Sequence, residues 1–329
     1  MRVRGRPGTL GTATGVWQGR AAALARPWCH VAMRFKHAVN AVISALAVMV
    51  LKAIARLDPD RMANFAAAVL RTVGPWLPEH RVGRENLRAA FPKKTPTEID
   101  AILHGVWDNL GRVAAEFAHL GSLWDYQADR PAASRIEFST RDMEIFQQLR
   151  DDGKPAFVFA AHLANWELPA LAAPINGLDS TVVYRLPNLG AIAEAVVKMR
   201  AGHMGKLIAS SPDAPFKIAR ALEAGSHVGM LVDQHYGKGV DVIFFGRRCK
   251  ANPMLARLAY HFDCPIHGVR VIRLGGRRFR GEITEALTVQ RHPDGRLHIE
   301  RTMQAITSVV EQWVREHPEQ WLWLHRRWR

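Results

Sequence analysis

His162-Leu163-Ala164-Asn165-Trp166-Glu167 places an imidazole and a carboxylate five residues apart. An imidazole titrates near neutral pH, and a carboxylate bonded to one ring nitrogen leaves the other free to act as a base. Within one continuous helix, residues five apart point about 140° away from each other, so such a pair meets only where the backbone turns. The hexapeptide follows the apolar run Pro155-Ala156-Phe157-Val158-Phe159-Ala160-Ala161, which reads as a buried strand. Trp166 to Ala173 reads as the start of a helix. His162 therefore falls in a strand-to-helix turn, at the edge where α/β sheets usually carry their chemistry. There Glu167 could accept a bond from one ring nitrogen of His162.

Spacing alone does not select this pair. Fifteen histidines in a chain of 329 residues with 30 acids are enough for one to arise by chance. His80 and Glu85 repeat it, but no apolar strand precedes them, and a solvated helix face is their expected home. Other polar groups follow later strands: Tyr184-Arg185-Leu186-Pro187-Asn188, then Asp233-Gln234-His235, with Arg200 near the end of the intervening helix. If the strands are parallel, these groups converge with His162 on one edge, and a base, an acid and a cation there suit acyl or phosphoryl transfer. The plainer alternatives are a solvated or dipole-paired helix end for Arg200 and a turn cap for Asp233. No Gly-x-Ser-x-Gly elbow and no glycine-rich phosphate loop occur, which leaves direct attack by a substrate hydroxyl activated by His162.

The elements that must position these groups alternate. Helices are expected over 59–73, 78–91 and from the Thr95-Pro96-Thr97-Glu98 capping box to about Leu120. Strands are expected over 135–139, 156–161, 180–185, 227–232 and 265–272, with helices between them at 213–224 and 254–261. An additional edge strand is expected at 278–287 and a terminal amphipathic helix at 299–317. This is an α/β chain: a largely parallel or mixed sheet flanked by helices, with an N-terminal helical membrane anchor. Residues 58–130 form its helical part and 131–329 its α/β part.

A net charge of +15 and a pI near 10.4 call for an anionic partner. No helix-turn-helix, zinc-finger or RNA-binding signature accompanies the charge, whereas ten tryptophans with frequent nearby arginines suit a membrane interface. Cys29, Cys249 and Cys264 lack metal-ligand spacing and fit a reducing compartment. Residues 1–32 carry arginine without acid and read as a disordered or mis-assigned extension, because Met33-Arg34-Phe35-Lys36-His37 before an apolar run would itself make a good start. Within an anchor at 33–57, the apolar stretch 38–55 would span roughly 27 Å as a helix, just short of a bilayer core of about 30 Å. It could cross with Lys52 snorkelling or lie at the interface.

Together these blocks resemble the late acyltransferases of lipid A biosynthesis, the lauroyl/myristoyl transferases of the lysophospholipid acyltransferase superfamily. Arg84-Glu85-Asn86-Leu87 with Phe91-Pro92 is similar to the family's N-terminal helical motif, and the hexapeptide to its His-x-x-x-x-acid block. Asp233-Gln234 with Phe244-Phe245-Gly246 resembles its third block. The ending His317-Pro318-Glu319-Gln320-Trp321-Leu322-Trp323-Leu324-His325-Arg326-Arg327-Trp328-Arg329 is the most specific stretch. This chain departs from the family in having Trp321 for a usual Tyr, Trp328-Arg329 for Phe-Lys, and Lys250-Ala251 near a usual Thr.

The resemblance implies acyl transfer from acyl-carrier protein to a hydroxyl of a lipid A precursor, on the cytoplasmic face of the inner membrane. His162 would be the base and Glu167 its orienting acid, supported by Asn165, Arg185, Arg200, Asp233 and Gln234, with no metal or cofactor. Its partners would be the acyl-carrier protein, a phosphorylated glycolipid and an anionic membrane surface; nucleic acid is not expected. Two rivals remain at this point: a same-fold acyltransferase acting on a lysophospholipid or an amino-acid lipid, and a non-catalytic basic membrane- or nucleic-acid-binding protein. For the N-terminal extension, peptide mapping of the native protein is expected to find its start at Met33. Recovery of peptides from residues 1–32 would disprove that start.

Overall fold

Asp58 and Thr95 each precede a proline, and each starts a helix by capping it. In the computed structural model, Asp58 accepts bonds from the Asp60 and Arg61 amides at 3.1 and 2.8 Å, opening α1 (Pro59–Val73). After α2 (Pro78–Ala90), Thr95 and Glu98 form the expected capping box and open α3 (Pro96–Glu116). α1 packs along α3, and α3 carries the buried polar residues Asn109 and Glu116 toward the sheet. The structure describes residues 53–126, 134–185, 190–275 and 277–329, with six isolated positions between 39 and 50. The proposed anchor at 33–57 therefore lies mostly outside the described residues. Among them no helix is long and apolar enough to cross a membrane.

From residue 134 onward, strands and helices alternate. After a short helical turn, α4 (Leu120–Leu123), the order is β1 (Ile136–Glu137), α5 (Thr140–Asp151), β2 (Phe157–Ala160), α6 (Leu168–Ile175) and β3 (Ser180–Tyr184). Then come α7 (Gly190–Ala201), β4 (Lys206–Ala209), α8 (Ala214–Glu223) and β5 (His227–Leu231). The hairpin β6 (Val240–Phe244) and β7 (Arg247–Ala251) precedes α9 (Met254–Phe262), β8 (Ile266–Arg273), β9 (Phe279–Ile283) and α10 (Ile299–Glu316). Seven strands form one sheet in the order β1-β9-β8-β2-β5-β3-β4, parallel except where β8 meets β9. The chain is thus mixed α/β with a mainly parallel sheet flanked by helices.

One expectation needs correction, and one block gains a structure. The strand expected at an edge, β9, is interior: β1 adds in parallel to its outer side, a pairing that a two-residue strand barely signals in sequence. The Phe244-Phe245-Gly246 block is a hairpin corner. Phe245 and Gly246 have φ of 53° and 69°, the positive pair that a two-residue turn between twisted strands requires. The Phe245 amide donates to Glu311 at 2.5 Å, which ties the corner to α10.

The two faces of the sheet are filled differently. Phe157, Phe159, Val228 and Met230 belong to one large core with Ile218 of α8, Leu255 and Ala259 of α9, and Ile306, Val310 and Trp313 of α10. The alternate residues Val158, Gly229 and Val182 face α5 and α6, where the apolar clusters are small. One side is packed solid and the other encloses space.

The last segment of the chain returns to the helical part. Asn86, buried on α2, donates to the carbonyls of Trp323 and His325 at 2.8 and 2.7 Å. The Trp323 indole donates to Pro318 at 2.7 Å, and Trp321 packs edge-on against it at 4.6 Å. Replacing Asn86 by Ala leaves one buried and one half-buried carbonyl without their donor, so Asn86→Ala is expected to lower stability by about 1–3 kcal/mol. Urea unfolding measures this; an unchanged midpoint would show that Asn86 does not hold the segment.

Candidate active site

β2 and β5 are adjacent and parallel, with Ala160 beside Leu231, so the loops that follow them leave the sheet at the same edge. His162 lies in the first loop and Asp233 in the second. His162 Nδ1 is 2.8 Å from Asp233 Oδ1, and the His162 backbone amide donates to Asp233 Oδ2 at 2.8 Å. The Trp321 indole donates to the same Oδ2 at 2.7 Å. Asp233 is 3% exposed, and these donors are what make an ionised carboxylate tolerable there. In the neutral imidazole, with Nδ1–H given to Asp233, Nε2 is the unprotonated nitrogen; the Gln234 amide lies 3.4 Å from it and the Trp166 ring lies alongside.

Burial of the imidazole opposes its protonation, but the adjacent Asp233 carboxylate outweighs burial and raises the pKa above the ordinary 6.5. Burial likewise pushes Asp233 up, and its contacts with His162 reverse this, holding it well below the usual carboxylate range. The signs follow. Stabilisation from His162 is complete below pH 6.5 and is lost as pH rises through its raised pKa. Stabilisation from Asp233 is complete above pH 3.8 and is lost as pH falls through its depressed one. The charged pair is therefore fully formed between those two ordinary values.

Glu167 does not bond His162. It is buried at the start of α6 and takes a two-point ion pair from Arg200 at the end of α7, with Arg200 Nε 3.0 Å from Oε2. The Arg200 guanidinium also lies 5.5 Å over the Phe117 ring. The expected His162–Glu167 contact is thus replaced by two pairs, His162–Asp233 and Glu167–Arg200. The physical reason is the loop between them: Ala164 adopts φ of 45°, and the turn carries Glu167 past the imidazole toward α7.

That loop is strained and heavily held. The Ala164 amide donates to Gln320 O at 2.9 Å, and its carbonyl accepts from Asn109 at 3.1 Å. Leu322 donates to the His162 carbonyl at 3.1 Å. Asn165 is buried; it donates to Glu116 at 2.8 Å and accepts from the Glu167 amide at 3.1 Å, so it braces the turn. Glu116 receives Arg273 at both oxygens, 2.5 and 2.8 Å, and Arg273 also bonds Asn109 at 2.9 Å. Arg185 is exposed at the end of β3 and lines the mouth of a cavity. The second such pair, His80 and Glu85, does not meet either, and only half of it lies on the expected solvated face: Glu85 is exposed and pairs with Arg81, whereas His80 is half-buried and accepts from the Trp107 indole at 3.0 Å.

The cavity, of about 680 Å³, begins at His162, Glu167 and Arg200 and runs beneath α5 and α6 over the open face of the sheet. Val158, Val182, Gly229 and Leu231 are among its floor residues, Ala170 and Ala173 among those of α6, and Ser180 and His227 lie at the opposite end of their strands. A base oriented by an ion pair, open at Nε2 onto a long apolar space, suits proton removal from a hydroxyl near a bound hydrocarbon. The family model of bacterial lipid A biosynthesis acyltransferases matches residues 29–329. The chain belongs to that family. No curated protein sequence matches it. Membership makes this protein an acyltransferase acting on lipid A-type substrates.

Among the bracing residues of this acyltransferase, Gln320 and Trp321 stand in the C-terminal block that the sequence singles out, without a role in the turn, whereas nothing in the sequence reading points to Asn109, Glu116 or Arg273. Of these three, only Glu116 carries a sequence signal, as the lone charge in the apolar run Val113-Ala114-Ala115-Glu116-Phe117-Ala118. Replacing Asp233 by Asn removes the charge that raises His162. The acidic limb of the pH–rate profile, above pH 6.5 in the native enzyme, is expected to move to lower pH, with a rate loss of about 10²–10⁴-fold. A limb that stays in place while the rate falls would show that Asp233 does not set the proton affinity of His162.

Proposed function

We propose that this enzyme transfers a fatty acyl chain from an acyl-carrier protein thioester to a hydroxyl of a lipid A precursor, with His162 as general base. The observation that carries the reading is His162 Nε2, oriented by Asp233 and opening onto one end of the long apolar cavity. The acyl chain lies in the cavity with its thioester carbonyl at the mouth. His162 takes the proton from the 3-hydroxyl of an attached hydroxyacyl chain as that oxygen attacks the carbonyl carbon. The tetrahedral intermediate then expels the thiolate, His162 returns the proton to sulfur, and an ester and a free thiol result. Asp233 holds the tautomer and stabilises the imidazolium. Glu167 adds negative charge near the imidazolium and fixes Arg200, while Arg185 and Arg200 offer cationic groups at the mouth for a phosphate of the acceptor or of the carrier's arm.

The same proposal sets the enzyme on the cytoplasmic face of the inner membrane. Phe65, Val69 and Trp76 expose large apolar surfaces on α1 and the turn after it, and Val42, Leu46, Met49 and Val50 do so before it. With a net charge of +15, such a surface favours an anionic leaflet and an acidic carrier protein.

Mass spectrometry of lipid A from a deletion strain tests the reading. Loss of one acyl chain, restored by the native gene and not by His162→Ala at equal protein level in the membrane fraction, is the expected result. Unchanged number and length of acyl chains in the deletion strain would refute it.

A further inference from the structure

The cavity floor contains a position where the backbone does not ask for glycine. Gly229 sits mid-strand in β5, between Val158 of β2 and Val182 of β3, with a φ outside the left-handed region. Glycine weakens the interior of a strand, and its presence there often marks close approach of a ligand. A Cβ built on Gly229 would meet only the Val158 carbonyl oxygen, at 4.0 Å. Two other sheet glycines behave differently. A Cβ on Gly268 would come within 2.6 Å of the Phe159 ring, and one on Gly281 within 2.1 Å of the Phe138 ring. Packing excludes a side chain at those two positions; at Gly229 the space is empty.

We infer that Gly229 sets how far an acyl chain can enter the cavity, and so which chain length the enzyme transfers. The inference rests on the proposed acyl-transfer function. From Leu231, at the catalytic edge, to His227 the strand rises by about 13 Å, at about 3.3 Å per residue. Gly229 lies at the midpoint of that path. Leu231 and Ala160 lie on the His162 side, and Ser180 and His227 close the far end with polar groups. A branched side chain at 229 would stand across the floor and separate the two halves. The chain end would then stop short of Ser180 and His227.

The test uses the full-length enzyme with a graded series of straight-chain acyl-carrier protein thioesters, comparing the native protein with Gly229→Ala and Gly229→Leu. The longest accepted chain is expected to shorten with side-chain size. The ratio of kcat/KM for long over short donors should fall about fourfold for each excluded methylene, since burying one contributes about 0.8 kcal/mol. Displacement of a fluorescent fatty acid by free acids of the same lengths reads the cavity without catalysis and should show the same shift. If the native enzyme transfers and binds long chains and both variants keep its length profile, the inference about Gly229 falls alone. If the native enzyme neither transfers nor binds any of these chains, the acyl-transfer reading falls and takes the inference with it. Should Gly229→Leu fail to fold, Gly229→Ala, whose methyl has room, decides the direction.

Discussion

Asp233 is a carboxylate taken out of water, and its two oxygens face the imidazole of His162, the amide of His162 and the indole of Trp321. A buried charge of this kind costs several kcal/mol unless each lone pair finds a donor. Meeting that demand draws together the loop after β2, the loop after β5 and the C-terminal segment. The imidazole tautomer, the direction of Nε2 and the path of the strained turn through Ala164 all follow from it. The second ion pair, Glu167 with Arg200, joins the start of α6 to the end of α7 at the same edge. A third, Glu116 with Arg273, joins α3 to β8 behind the turn. Each binds elements distant in sequence, so the site is assembled by charge pairing across a scaffold built by apolar packing.

Much of that scaffold was legible in the sequence because its strands are apolar runs bounded by polar turns. β2, β3, β5 and β8 are such runs, and the capping residues Asp58 and Thr95 begin helices where their side chains predict. β4 and the β6–β7 hairpin were not legible. β4 is a four-residue edge strand that starts on an exposed lysine, and β7, Arg247-Arg248-Cys249-Lys250-Ala251, is mostly charged and offers no apolar run to read as a strand. In the site, parallel strands predict that His162, Glu167, Arg200, Asp233 and Gln234 converge at one edge, and the contacts among them lie there. Their pairing was not readable: a five-residue spacing says that two groups are close along the chain, whereas the acid that meets His162 lies 71 residues away. Only strand order, which places β5 beside β2, brings it there.

The asymmetry of the sheet gives the enzyme its second property. On one face Phe159 and Trp313 stack 5.6 Å apart and leave no room. On the other, alanines of α6, valines of β2 and β3 and the glycine of β5 leave a cavity that the fold tolerates because the opposite core is large enough to hold the domain together. Stability and the binding space are thus assigned to opposite sides of the same strands, through the two-residue period of their side chains.

The bonds from Gln320, Trp321 and Leu322 to the catalytic turn also have a meaning in time. These residues leave the ribosome after every other part of the site has been made. Until they emerge, Ala164 lacks its partner in Gln320 and Asp233 lacks one of its donors. A nascent chain can already have its sheet and its cavity while its base is still unaligned. The enzyme therefore acquires its chemistry only once this segment has been made and has folded back onto the turn.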